Sequence, residues 1–134
     1  MIKITTKKFD PQNPPDGAWV KYQEGAEIQI RKMNKEILHA LRAPFITISM
    51  EYDPQSHKYV EKETADSGKI EEALTGYLVQ KFRGFGDDDG NVLPDTQDSR
   101  EALMNDLAVR DFVWGYAHAA EIIQAARQDT EVKN

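Results

Sequence analysis

Near residue 66 the spacing of apolar residues changes from one typical mainly of strands to one typical of helices, and that change limits the possible folds more than any other feature. Before it, apolar and polar residues alternate, as they do around Ile28 and Ile30 and from Phe45 to Tyr52, and alternation is typical of strands with one buried face. After it, apolar residues recur three and four positions apart, as on one face of a helix. The sequence therefore predicts an α+β fold, in which β-hairpins form a small antiparallel sheet before a C-terminal helical region.

The length of the chain is typical of a single domain. It has 134 residues, and a domain of this order buries roughly 70% of the surface that its unfolded chain exposes. We expect mainly strands and one short helix in residues 1–66, helices in residues 67–128, and a frayed polar tail at residues 129–134.

The first half is predicted to contain several short strands and one helix. Asn34 can cap a short helix at Lys35–Arg42, and Pro44 ends that helix because the residue before a proline avoids the helical conformation. The predicted strands lie around Ile2 and Ile4, in a hairpin of residues 19–22 with 26–33, and in a second hairpin of residues 45–52 with 58–61.

Two shorter helices are predicted in the second half, and each has an acidic or hydroxyl side chain at its start that can cap it. Asp66 or Ser67 would cap a helix from about Lys69 to Arg83. Asp98 or Ser99 would cap a helix that contains Ala102, Leu103 and Met104.

The longest helical pattern runs from Leu107 to Arg127, and it is apolar around more of its circumference than a surface helix needs. Such a helix is central to the fold or packs against a partner. Phe112, Trp114 and Tyr116 lie two positions apart, where helical side chains diverge by about 200°. Trp114 matches the apolar stripe least well and is the candidate for a contact with another protein. The hypothesised partner-binding residues are Trp114, Ala119, Ile122 and Phe85.

Composition excludes several classes of protein. The chain contains no cysteine, which excludes a disulfide scaffold, a thiolate zinc site and a cysteine nucleophile. It lacks a run of about 18 apolar residues, and its first eight residues lack the apolar core of a signal peptide. We therefore expect a soluble intracellular protein with no membrane partner.

The net charge of −6 arises entirely after residue 66. Residues 1–66 contain 10 basic and 10 acidic side chains, whereas residues 67–134 contain 7 basic and 13 acidic ones. Nonspecific binding to a phosphate backbone requires clustered lysine and arginine. We therefore expect no nucleic-acid partner.

The acidic turn Asp87–Asn91 suggests a calcium loop but departs from the EF-hand pattern. With Gly90 at the sixth position, the first and twelfth positions fall on Phe85 and Thr96, neither of which supplies a carboxylate. The chain also lacks a nucleophile elbow and a phosphate-binding loop. We expect no enzyme and no cofactor. A less favoured alternative is a small metal-binding protein or enzyme that uses Asp87, Asp89, His118 and Glu121.

A series of short motifs in the second half resembles a known family. A predicted helix ends at Val79–Phe85 and is followed by the acidic turn Asp87–Asn91 and by Leu93-Pro94. A capped helix then spans Thr96–Met104, and a long helix begins at Val109–Val113. This order resembles the tail assembly chaperones of tailed phages and prophages. Gly17–Val20 and Ala26–Arg31 are similar to the opening strands of such proteins.

The resemblance implies a phage morphogenesis protein without catalytic residues, made in the cytoplasm of the bacterial host cell. Such a protein would bind hydrophobic helical segments of the tape measure protein before the tail tube polymerises around it. A contact with the tail tube protein and self-association into a homo-oligomer stay open at this point. A structural component of the virion is an alternative that the same sequence permits.

Overall fold

Two small antiparallel sheets and four α-helices make up the part of the chain that the computed structural model describes, namely residues 1, 2, 4 and 7–118. The mixed α+β fold predicted from the sequence is thereby confirmed. In chain order the elements are β1 (Ala18–Lys21), β2 (Glu27–Ile30), α1 (Lys35–Arg42), a 3-10 turn (Ala43–Phe45), β3 (Ile46–Asp53), β4 (Lys58–Ala65), α2 (Ser67–Leu78), β5 (Val79–Arg83), α3 (Gln97–Asn105) and α4, whose described part is 107–118.

The predicted hairpins and the first helix are present. β1 pairs with β2, and β3 pairs with β4, both antiparallel. Asn34 caps α1, because its side chain accepts a hydrogen bond from the Ile37 backbone amide at 2.8 Å. Asp66 caps α2 in the same way through the Lys69 amide. Ile2 and Ile4 lie outside any strand, and Lys3 between them lies outside the described residues.

The prediction of a helix from Lys69 to Arg83 is wrong in its last turn. Helix α2 ends at Leu78, and Val79–Arg83 forms β5, which pairs antiparallel with β2 in a sheet of order β1-β2-β5. The apolar spacing of this segment suits a helix, but pairing with a buried strand satisfies its backbone groups and overrides that local preference. The second half is therefore not helical throughout.

The predicted cap of α3 is also wrong. The helix begins at Gln97, two or three residues earlier than a cap at Asp98 or Ser99 would allow. Thr96 is the cap: its backbone is extended and its hydroxyl accepts a hydrogen bond from the Ser99 amide at 3.2 Å. Ser99 is buried and its own hydroxyl accepts from that of Thr96, so Ser99 supports the cap instead of forming it.

The long C-terminal helix is confirmed over its described part. Asp106 precedes it and accepts hydrogen bonds from the amides of Ala108 and Val109. Residues 119–127 of the predicted helix, and the predicted tail at 129–134, lie outside the described residues. Within the described part of the chain, no helix is both long enough and apolar enough to cross a bilayer.

The core lies between the three-stranded sheet and the helices. Ile28 and Ile30 of β2 are fully buried, as are Leu78 and Val79 at the junction of α2 and β5. Helix α4 adds a buried stripe at four-residue spacing, as expected for one helix face. The buried cluster comprises Ile28, Ile30, Met33, Ile37, Tyr77, Leu78, Val79, Leu103, Met104, Val109, Val113 and Ala117.

Gly17 allows the chain before β1 to lie directly against β2. Its backbone amide donates to Gln80 Oε1 at 2.7 Å, and its carbonyl accepts from Gln29 Nε2 at 3.0 Å. A Cβ atom at this position would lie 2.5 Å from both the carbonyl carbon and the oxygen of Ile30. A side chain at residue 17 therefore requires the two backbone segments to separate.

We expect Gly17→Ala to lower the free energy of unfolding by about 1–3 kcal/mol, the usual cost of forcing extra atoms into a packed site. The matched control is Gly115→Ala on α4, where a Cβ would meet nothing within 4 Å and the loss of a helical glycine should stabilise by about 0.5–1 kcal/mol. Urea denaturation followed by circular dichroism measures both. Equal midpoints for the two variants would contradict this packing.

Candidate functional site

The helices α2, α3 and α4 border a cavity of ≈ 270 Å³ that is open to solvent on one side, and we call this cavity the cleft. Its floor is apolar, because α2 presents Ile70, Leu74 and Leu78 at four-residue spacing toward Met104 of α3 and Trp114 of α4. The remaining lining residues are Arg42, Ala65, Ser67, Glu71, Thr75 and Arg110.

Charged side chains of both signs border the cleft. Arg110 of α4 contacts Glu71 of α2 at 3.2 Å, and both side chains are substantially exposed. An exposed ion pair of this kind contributes little to stability. It does place polar groups around an apolar floor, an arrangement typical of protein-binding surfaces.

Trp114, the aromatic residue that the sequence singled out, lies in the wall of the cleft. It is half-buried, and its ring stacks on that of His118 with centroids 5.5 Å apart. Phe112 and Tyr116 are half-buried too, whereas the buried stripe of α4 is Val109, Val113 and Ala117. Burial therefore does not separate Trp114 from Phe112 and Tyr116 as the sequence predicted, and what distinguishes Trp114 is that it borders a concave surface.

The other hypothesised partner-binding residues do not gather around Trp114. Phe85 is half-buried in a separate aromatic cluster, where its ring stacks on Tyr22 at 6.0 Å and meets the edge of Phe82 at 6.4 Å. Tyr22 in turn contacts Phe112 of α4. Ala119 and Ile122 lie outside the described residues.

The acidic turn is organised by its own backbone. Asp87 Oδ1 accepts hydrogen bonds from the amides of Asp89 and Asn91, both at 2.9 Å, and the Asp87 amide donates to the Asn91 carbonyl. Gly90 has a φ of 81°, which favours glycine. Asp87 thus closes a tight turn, which gives its carboxylate a structural role.

The arrangement of the described residues does not support the metal-binding alternative. Among them, no group of three or more histidine and acidic side chains is placed to hold a metal ion. Glu121, the fourth residue of that hypothesis, lies outside the described part of the chain. His118 is exposed on α4 and stacks on Trp114.

Two titratable groups in the core have shifted pKa values for structural reasons. Burial raises the pKa of Tyr77, whose hydroxyl donates to the Lys32 carbonyl at 2.7 Å. Burial also lowers the pKa of Arg31, whose guanidinium donates to the carbonyls of Pro15 and Tyr77. Both groups join α2 to the segment that follows β2, Arg31 also binds the loop at Pro15, and neither residue lines the cleft.

The hairpin of β3 and β4 is a second feature with unusual exposure. Its two eight-residue strands are exposed almost throughout, including Ile48, Met50, Tyr52 and Tyr59. The sequence showed the alternation of this hairpin but not that its apolar side chains stay uncovered. The available signal was that its apolar residues lie mainly on one side of the hairpin.

Comparison of the chain with protein-family models, with curated proteins and with solved structures finds no match.

We expect Asp87→Ala to lower the free energy of unfolding by about 1–2 kcal/mol, because it leaves two turn amides without their acceptor. Asp88→Ala removes a neighbouring carboxylate of the same charge and should change stability by less than about 0.5 kcal/mol. Thermal melts with and without calcium measure both effects. A calcium-dependent rise in melting temperature that Asp87→Ala abolishes would contradict the turn role and favour a metal site.

Proposed function

We propose that this protein is a non-enzymatic phage or prophage morphogenesis protein that resembles the tail assembly chaperones. It binds apolar helical segments of a client protein and works in the cytoplasm of the bacterial host. The client is the tape measure protein, held before the tail tube polymerises around it, and the tail tube protein is a further partner.

The cleft is the observation that supports this proposal best. Its apolar floor and half-buried Trp114 lie between three helices, and an apolar groove between helices is a common docking site for the apolar stripe of another helix. Its volume of ≈ 270 Å³ is enough to hold a few apolar side chains of a protein partner.

The charge distribution is compatible with holding an apolar client. The whole net charge of −6 arises after residue 66, in the half of the chain that contributes most of the cleft. Excess charge near an apolar binding surface keeps a protein soluble and limits its self-association.

The direct test is co-purification with a tape measure protein encoded beside this gene. We expect Trp114→Ala to weaken the complex by at least about tenfold, because aromatic residues in concave interfaces contribute a large share of binding energy. The matched control is Trp19→Ala, which removes the other tryptophan of the chain, exposed on β1 away from the cleft.

Two outcomes would contradict the proposal. One is the absence of any stable complex with the tape measure protein. The other is an equal loss of binding in both tryptophan variants, each verified as folded by circular dichroism. Retained binding by Trp19→Ala together with a loss in Trp114→Ala is the expected pattern.

A further inference from the structure

The hairpin of β3 and β4 forms an independent ribbon. Its eight-residue strands pair with each other over their full length, from Ile46↔Ala65 to Asp53↔Lys58, and form a sheet of their own within the described chain. The sheet of β1, β2 and β5 does not include them. A two-stranded ribbon is marginally stable by itself in water, so a surface that covers one of its faces would stabilise it.

The two faces of the ribbon differ in chemistry. Residues that pair across the strands share a face, and one side of the ribbon comprises Ile46 and Ala65, Ile48 and Glu63, Met50 and Glu61, and Tyr52 and Tyr59. We call this side, with those eight residues, the Met50 face. The opposite side, which we call the Lys62 face, comprises mainly polar residues, namely Thr47, Ser49, Glu51, Asp53, Lys58, Val60, Lys62 and Thr64.

The Met50 face exposes a contiguous apolar strip. Ile48, Met50 and Tyr59 retain 65%, 59% and 69% of their accessible surface, and the rings of Tyr52 and Tyr59 contact each other with centroids 5.5 Å apart. Single exposed apolar residues are normal on a protein surface, but several on one face mark an interaction site.

Charge on the Met50 face is of one sign. Glu61 and Glu63 lie beside the apolar strip and form no ion pair in the part of the chain that the structure describes. The lysines of the hairpin lie on the opposite side, where Lys62 contacts Glu51 at 3.4 Å. A partner that covers the Met50 face therefore gains by presenting cations beside its apolar residues.

A second copy of this chain does not meet that requirement. If two Met50 faces packed together, Glu61 and Glu63 of both copies would meet each other or lie against apolar side chains, and no lysine or arginine of the hairpin would face them. Burying carboxylates without cations is strongly unfavourable. The charge pattern thus favours a different protein over self-association.

The dimensions of the Met50 face suit a helix. The rise from Ile46 to Tyr52 is about 20 Å, which is the length of a helix of about 14 residues. Ala65 pairs with Ile46 at the base of this face and also lines the cleft. A helix lying along the ribbon would therefore reach the cleft at its end.

We infer that the Met50 face docks one amphipathic helix of a partner protein, whose apolar stripe is bordered by lysine or arginine. This inference rests on the proposed function, because it extends the docking surface of the cleft along the hairpin and specifies the chemistry of the client segment. The cleft receives one end of the helix, and the Met50 face receives its length.

Fluorescence anisotropy with two labelled helical peptides tests this assignment. The probes are a leucine–lysine amphipathic peptide of about 14 residues and its leucine–glutamate counterpart. We expect the wild-type protein to bind the lysine peptide at least about tenfold more tightly than the glutamate peptide, because only the lysine peptide complements Glu61 and Glu63.

Two pairs of matched variants locate the peptide on one face. Glu61→Lys and Glu51→Lys change the net charge equally but lie on opposite faces. Met50→Ser and Val60→Ser each replace an exposed apolar side chain, again on opposite faces. We expect Glu61→Lys and Met50→Ser each to weaken binding by about tenfold. The control variants on the Lys62 face, Glu51→Lys and Val60→Ser, should bind the peptide with an affinity within about twofold of that of the wild type. Thermal melts verify that all four variants are folded.

Equal effects on the two faces, or equal affinity for the two peptides, would overturn the inference. If sedimentation shows that the wild type is a dimer and that Met50→Ser is a monomer, the Met50 face binds a second copy of the chain and the inference is overturned. If Trp114→Ala weakens tape measure binding while the hairpin variants bind it normally, the inference fails and the proposed function stands. If neither the tape measure protein nor the lysine peptide binds the wild type, both fail.

Discussion

The burial of β2 is the constraint on which the rest of the structure depends. Ile28 and Ile30 are almost inaccessible to solvent, so this strand needs backbone partners on both edges and apolar cover on its faces. β1 supplies one edge and β5 the other. Because β5 follows α2 without a loop, the pairing also fixes α2 against the sheet, and the Arg31 amide donates to the Leu78 carbonyl at that junction.

Arg100 extends this constraint to the C-terminal helices. Its guanidinium donates to the Val79 and Gln80 carbonyls at 2.9 and 2.7 Å and pairs with Asp95, which binds α3 to the outer edge of β5. Helix α4 then completes the wall opposite α2 with Val109 and Val113 in the core. The cleft is thus a consequence of how β2 is buried.

Local patterns in the sequence predicted most elements, and their largest failure came where a distant partner decides the structure. Asn34 was identified as a cap, and Asp66 as one of two candidates, because capping depends on residues three positions apart. The cap of α3 at Thr96 was missed although that signal is local too. Val79–Arg83 was predicted as helix because its pairing with β2 joins segments about 50 residues apart, which no local spacing reveals. For the same reason the sequence could nominate Trp114 but could not place Leu74 and Met104 around it.

We propose that the cleft and the Met50 face form one continuous docking surface. Hydrogen exchange, measured by mass spectrometry with and without a bound tape measure segment, tests this claim most directly. We expect binding to slow exchange in residues 46–65 and in the helical walls at 70–78 and 104–114 together, while exchange in β1 is unchanged. Protection confined to β1 or to the acidic turn at residues 87–91, with the hairpin and the cleft unaffected, would contradict it.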